Sequence, residues 1–231
     1  MKPIKLEEYV ISQSSFSRRK YFELLKQGKV SVDGNPIYDI SYELTSMSQK
    51  VVVAGKHIAG HVSYRYFMFH KPKGMLSTMS DTNNRSCIGD MIRENNLNVS
   101  PVGRLDRLTT GLMILTNDGE LAHKLMHPKH HVKKVYNVTL DKVMIKQDYN
   151  RLVEGVILED GPVQCHTVEL VAEKTVQVTI SEGRNRIVRR LFDHLGYDVQ
   201  SLKRIGIGSV LLGDLGAGKY KKLSPKQLNS L

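Results

Sequence analysis

Apolar positions along this chain fall into two regimes. Up to about residue 60 the runs are short. Phe22 and Leu25 share one face of a helix predicted over residues 18–27, with Ser17 able to cap it and Gly28 able to stop it. Val30–Val32 and Val51–Val53 read as short strands, and Asp33-Gly34 marks a turn, so the expected order is helix, helix, short hairpin. The stretch 55–61 has glycines and no periodicity, and is expected to be a linker.

Beyond it, strand-like segments at 64–69, 112–115, 134–140, 163–171 and 175–180 alternate with shorter helical patterns. Residues 175–180 alternate with the period of a half-buried strand, whereas Leu112-Met113-Ile114-Leu115 is continuously apolar. Thr116-Asn117-Asp118-Gly119 then makes a turn that opens a helical pattern over 120–126. Ile187, Val188, Leu191, Phe192 and Leu195 form one apolar stripe, leaving Arg186, Arg189 and Arg190 towards the other side. Irregular spacing of strands and helices favours an α+β fold over a regularly wound parallel sheet.

Charge changes the picture more than composition does. The 231 residues are 40% hydrophobic and 25% charged, ordinary for a folded globular protein, but 34 Lys and Arg face 23 Asp and Glu, a formal charge of +11. Residues 1–60 hold 9 basic against 6 acidic residues and the remainder 25 against 17, so both parts are basic. A polyanionic partner is the simplest cause, because Lys and Arg that neutralise phosphates release condensed counterions. A membrane surface is disfavoured, since the basic residues are not gathered into one amphipathic helix or terminal block. Cys87 and Cys165 are the only cysteines and lie in no Cys-x-x-Cys pattern, which suggests neither a disulfide framework nor a thiolate zinc site. Without an apolar leader, a cytoplasmic location is expected.

The segment 103–119 divides sharply into polar and apolar parts. Arg104, Asp106, Arg107, Thr109 and Thr110 sit where a loop enters the core, immediately before the apolar run. A carboxylate between two guanidiniums should be oriented by charge-assisted hydrogen bonds. On the residues alone it is either a loop ion pair or a reactive group. Tyr136 lies in an alternating strand, where a tyrosine is usually core with its hydroxyl satisfied.

The string Gly103-Arg104-Leu105-Asp106, then Thr110-Gly111, the apolar run and Thr116-Asn117-Asp118-Gly119, resembles the signature of the RsuA family of ribosomal RNA pseudouridine synthases. Three further segments resemble that family: 67–74 with His70 where Asn is usual, 133–138 with Val135 where Thr is common, and 181–192. The resemblance implies that Asp106 is the nucleophile, that Tyr136 packs on the target uracil, and that Arg189 pairs with the catalytic carboxylate, with Arg104 and Thr110 in support. It also implies a small N-terminal alpha-L RNA-binding module, residues 1–59, joined to a pseudouridine-synthase catalytic domain, residues 60–231, with a mixed, mostly antiparallel sheet. Arg18, Arg19 and Lys20 at a helix start are candidate phosphate contacts of the module. Lys71, Lys73, Arg107, Lys133, Lys134, Arg184 and Arg186 are candidates for the RNA backbone around a flipped uridine.

The isomerisation neither gains nor loses an atom, so no cofactor and no metal are expected. His127, His130 and His131 lack helical ligand spacing because Pro128 interrupts them. Gly213 to Tyr220 nearly fits a P-loop, but Tyr220 replaces the Ser or Thr that would hold magnesium. Pro128-Lys129-His130-His131 looks more like the small-subunit (16S) enzyme of the family, so the expected partner is ribosomal RNA or a pre-ribosomal small-subunit particle, acted on by a monomer. The alternatives are a 23S enzyme, a non-catalytic RNA-binding protein of ribosome assembly, and a nucleoside hydrolase.

Overall fold

The computed structural model describes residues 3–14, 16–46, 48–60 and 63–231. In the N-terminal part, helices Leu6–Gln13 and Arg18–Lys26 pack on a four-stranded antiparallel sheet ordered Asn35–Pro36, Val30–Val32, Val51–Val53, Lys56–Ile58. The Ser17 side chain accepts from Lys20 N at 3.2 Å, satisfying one orphan donor of the second helix. Leu6, Tyr9, Val10, Tyr21, Leu24 and Leu25 close a core against Val30, Val32, Val51, Val53 and Ile58.

The linker expected over 55–61 is corrected in part. Lys56–Ile58 is a strand paired with Val51–Val53, because Ala54 and Gly55, at φ +50° and +76°, turn the chain tightly back. His61 lies outside the described residues.

The larger part is built on one mixed sheet whose strands run in the order Thr167–Ala172, Thr175–Ile180, Lys134–Leu140, Val199–Ile207, Thr110–Thr116, Tyr66–Lys71, Tyr220–Lys222. Along that path each pairing is antiparallel except Val199–Ile207 against Thr110–Thr116. Both faces of Tyr66–Lys71 and Thr110–Thr116 are buried. Met113 and Leu115 point into a core shared with Phe67, Phe69, Val138 and Val178 and with the helices Ile88–Glu94, Lys146–Glu154 and Ile187–His194. Leu112 and Ile114 point the other way, onto Met68, Ile207, Val210 and Leu125 of the helix Gly119–Met126. A strand buried on both sides must be apolar at every position, which explains the unbroken run at 112–115.

Three strand expectations shift. The segment expected at 64–69 runs as Tyr66–Lys71. The one expected at 163–171 is two strands, Gly161–Val163 and Thr167–Ala172, because Cys165 N leaves the ladder to donate to Leu152 O at 2.8 Å. Val199–Ile207, at the centre of the sheet, was not anticipated, since Lys203 and Arg204 interrupt its apolar positions. Among the described residues no helix is long and apolar enough to cross a membrane.

The parallel pairing of Val199–Ile207 with Thr110–Thr116 depends on Gly111. It sits at φ +110° opposite Arg204, and a Cβ there would lie 2.1 Å from the Arg204 carbonyl oxygen. Gly111→Ala should therefore lower stability by about 3 kcal/mol or more, combining a left-handed φ with a backbone clash. Gly55→Ala, with a positive φ but nothing within 4 Å, should cost only about 1 kcal/mol. Urea unfolding midpoints check both, and equal effects would show that the strand approach is not limiting.

Candidate active site

The Thr110–Thr116 strand begins where the loop 103–109 leaves the core, and that loop is fixed from behind. Ser77, itself buried, donates to Leu105 O at 2.7 Å and accepts from Leu105 N at 3.0 Å. Thr109 N donates to Asp106 O at 3.0 Å, closing a turn, and Gly74 N donates to Arg107 O at 2.8 Å. Beneath the turn lies Lys71, 0% exposed, whose Nζ donates to the carbonyls of Thr109 (2.9 Å), Pro72 (3.1 Å) and Arg107 (3.3 Å).

Lys71 was expected to touch RNA. Its burial rules that out and gives it another task, holding the turn that carries Asp106. Burial pushes its ammonium down to about 8, against the opposing pull of the Asp106 charge.

Asp106, half-buried, faces a cavity of about 100 Å³ together with Arg104, Tyr136, Lys134, Arg186 and Arg204. Tyr136 is 8% exposed and pairs with Arg204 across neighbouring strands, so their side chains share a face. Burial lowers the Lys134 ammonium from its ordinary value, and the nearby Arg204 charge lowers it further. The wall is thus rich in cations around the Asp106 carboxylate and one phenol, its other carboxylate, Glu182, being taken by Arg184 at 2.6 Å. Such a site suits a neutral ring that becomes anionic during reaction.

Arg189 lies in an adjoining open groove of about 470 Å³, beside Arg186, Arg190 and Tyr197. The expected ion pair with Asp106 is not closed, because Arg189 Nη1 donates instead to Val199 O at 3.0 Å. The two remain electrostatically linked. Burial lowers the Arg189 guanidinium, the Arg186 charge adds to this, and the Asp106 charge opposes it.

Arg184 is also corrected as a backbone contact. Its donors are taken by Glu182 (2.6 Å), by the Asp160 carboxylate and carbonyl (both 2.9 Å), and by the carbonyls of Gly161 (3.2 Å) and Pro162 (2.7 Å). It ties the loop before the Ile187–His194 helix to the hairpin 156–163. Lys73, Arg107, Lys133 and Arg186 are exposed, and Arg186 lines the cavity. Thr110 Oγ1 donates to Leu202 O at 3.4 Å, a link to the central strand. In the N-terminal part Arg18 pairs with Glu7, and Lys20 with Glu23 at 2.9 Å, while Arg19 is exposed. An exposed pair such as Lys20 with Glu23 contributes about 0–1 kcal/mol and exchanges readily for phosphate, whereas Arg18 is held by a buried carboxylate.

Sequence reasoning missed Ser77, the loop-holding task of Lys71, and Arg204. One signal was available: the alternation Leu202, Arg204, Gly206 places Arg204 on an inward face once the segment is read as a strand.

A family model described as RNA pseudouridylate synthase matches residues 65–194. An uncharacterised RNA pseudouridine synthase of Mycobacterium tuberculosis is 39% identical over 235 residues, covering 99% of this chain and 92% of the relative. The ribosomal large subunit pseudouridine synthase B of Bacillus subtilis is 35% identical over 233 residues, 98% of this chain and 95% of the relative. A solved structure described as a pseudouridylate synthase superposes with a TM-score of 0.70 at 28% identity, covering 98% of this chain and 99% of that one.

Replacing Lys71 by Met removes a donor from the carbonyls of Thr109, Pro72 and Arg107, the last still held by Gly74 N, and should lower stability by about 3 kcal/mol. The pH dependence is separable. A folded-state value near 8 against an ordinary 10.5 means that the unfolded chain holds more protons between those limits. Wild type should therefore gain stability relative to Lys71→Met as pH rises from 8 to 10, by on the order of 3 kcal/mol across the full window. A difference that stays flat over that range would show that Lys71 titrates at its ordinary value.

Proposed function

The chain belongs to the RNA pseudouridylate synthase family, and from that premise we propose that it isomerises a uridine of ribosomal RNA to pseudouridine with Asp106 as the nucleophile. The observation that carries the assignment is the placement of Asp106. It projects from a turn locked by Lys71 and Ser77 into a cavity whose far side is Tyr136. A reactive carboxylate must be held in a fixed attitude towards its target atom, and this turn is fixed through its own backbone.

Tyr136 supplies a flat surface on which the detached base packs while it turns. Arg189, linked electrostatically to Asp106, steadies the carboxylate's charge. Reaching the cavity requires the uridine to leave its stack. The exposed cations Lys73, Arg107, Lys133 and Arg186 grip the flanking phosphates. The N-terminal part, with Arg18, Arg19 and Lys20 at the start of a capped helix, acts as the alpha-L RNA-binding module and docks on a neighbouring RNA segment.

For the substrate, the B. subtilis relative that matches along nearly the whole chain is named as a large-subunit enzyme, which favours large-subunit RNA. The small-subunit reading rests on Pro128 to His131, a surface 3-10 turn and the residue after it. We take the large-subunit reading first.

Asp106→Asn should fold and bind rRNA with affinity within about threefold of wild type while tritium release from C5-labelled uridine falls by at least 10⁴-fold. Turnover like that of wild type would remove Asp106 from the nucleophile's role, and free uracil in the assay would indicate hydrolysis instead. Reverse-transcription stops after pseudouridine-specific chemistry, compared in rRNA from cells with and without the protein, identify the uridine. A protein-dependent stop in 16S rather than 23S RNA would overturn the large-subunit choice.

A further inference from the structure

The inner wall of the cavity carries a group that the assignment of Asp106 and Tyr136 leaves unused. Arg204 is 6% exposed, and its Nε donates to Leu112 O at 2.7 Å. Its Nη2 is buried and, among the described residues, has no hydrogen-bond partner. The hydroxyl of Thr109, a residue 2% exposed, is in the same condition. Both residues line the cavity that Asp106 enters.

Buried polar groups in folded proteins are nearly always hydrogen-bonded, and an open guanidinium donor is costly to keep out of water. Structure at the site fixes the donor rather than letting it escape. Arg204 is clamped through Nε, lies opposite Tyr136 on one side, and lies opposite Gly111 on the other, where the lack of a side chain lets the two strands close. Lys134, beside it, is pushed towards neutrality by burial and by the Arg204 charge. Among the described residues no carboxylate forms an ion pair with either of them. This corner of the cavity therefore holds two cations outside any ion pair, with one open donor and one open hydroxyl.

We propose that Arg204 is a further catalytic residue, its Nη2 donating to a carbonyl oxygen of the flipped uracil and stabilising the negative charge the ring acquires, while the Thr109 hydroxyl holds a second polar edge of the ring. The proposal rests on the function given above. When the N1–C1′ bond breaks, its electron pair stays with the ring and spreads over N1, O2 and O4. Asp106 takes the place of N1 on C1′, the ring turns, C5 gives an electron pair to C1′ as the Asp106–C1′ bond breaks and returns its electrons to the carboxylate, the C5 proton leaves, and N1 takes up a proton, so that product and substrate have the same atoms. If Asp106 adds first to C6, the displaced ring electrons also reach a carbonyl oxygen. Either route therefore loads negative charge onto the acceptor that Arg204 faces. A fixed donor at such an atom is worth about 10²–10³ in rate.

The test uses the full chain and an rRNA fragment carrying the mapped uridine. Under single turnover, Arg204→Met should fold, bind the fragment within about threefold of wild type, and isomerise it about 100-fold more slowly. Arg204→Lys keeps a cation on the strand but loses Nη2. It should also be slowed at least tenfold, and it covers the case in which the Met variant does not fold. A purely structural role is excluded by changing the acceptor instead. With 2-thiouridine or 4-thiouridine at the target, sulfur being a weaker acceptor, wild type should lose rate at one of the two positions while the Arg204 variants lose no more. Variants within threefold of wild type, or an equal thio penalty in wild type and variants, would overturn the role of Arg204 and leave the function standing. A wild-type protein that forms no pseudouridine in any rRNA would overturn the function and this inference together.

Discussion

The ammonium of Lys71, wholly withdrawn from water, is the constraint on which the site depends. A buried lysine without partners would be strongly destabilising, and this one is reconciled to its position by the carbonyls of Pro72, Arg107 and Thr109. Two of those carbonyls flank the outer half of the turn that begins at Asp106. The charge therefore organises backbone rather than substrate. The carboxylate inherits a fixed position from a group that never meets it in an ion pair.

That arrangement depends on the strand after the turn, Thr110–Thr116, being buried on both faces. Leu112 and Ile114 serve one core and Met113 and Leu115 the other, so the strand following the turn has no freedom to shift. On the far side of the same strand, Gly111 allows Val199–Ile207 to run parallel and close, which brings Arg204 to the cavity wall opposite Tyr136. The geometry of the candidate site thus comes from strand pairing together with the loop that carries Asp106.

Charge is distributed by depth. Exposed cations such as Lys73, Arg107, Lys133 and Arg186 stand where a phosphate backbone could reach them. Arg184 and Arg190 are spent on Asp160 and shape the entry to the Ile187–His194 helix. Lys71, Lys134 and Arg204 lie deeper, where each depresses or organises something nearby instead of meeting bulk RNA. A formal count of +11 does not distinguish these three uses.

By itself the sequence determined the elements whose signals are local. The Ser17 cap, the Val30–Val32 and Val51–Val53 strands, the alternating Thr175–Ile180 strand, the doubly buried run at 112–115 and the Asp118-capped helix follow from side-chain periodicity and turn chemistry a few residues long. The likeness of residues 103–119 to a known signature singled out Asp106 for the same reason, since the whole motif is contiguous. What only the tertiary structure decided involves residues far apart in the chain. Lys71 reads as one more surface cation until residues 107 and 109 fold over it. Arg184 reads as free until Asp160 is beside it, and Arg189 comes within electrostatic reach of Asp106 only through the packing of a helix more than eighty residues away. Val199–Ile207 escapes a local reading because Lys203 and Arg204 interrupt its apolar positions, Arg204 standing on the inward face between Leu202 and Gly206. Burial and partnership are properties of long-range packing, and no local pattern encodes whether a lysine or arginine will meet water, carbonyl or substrate.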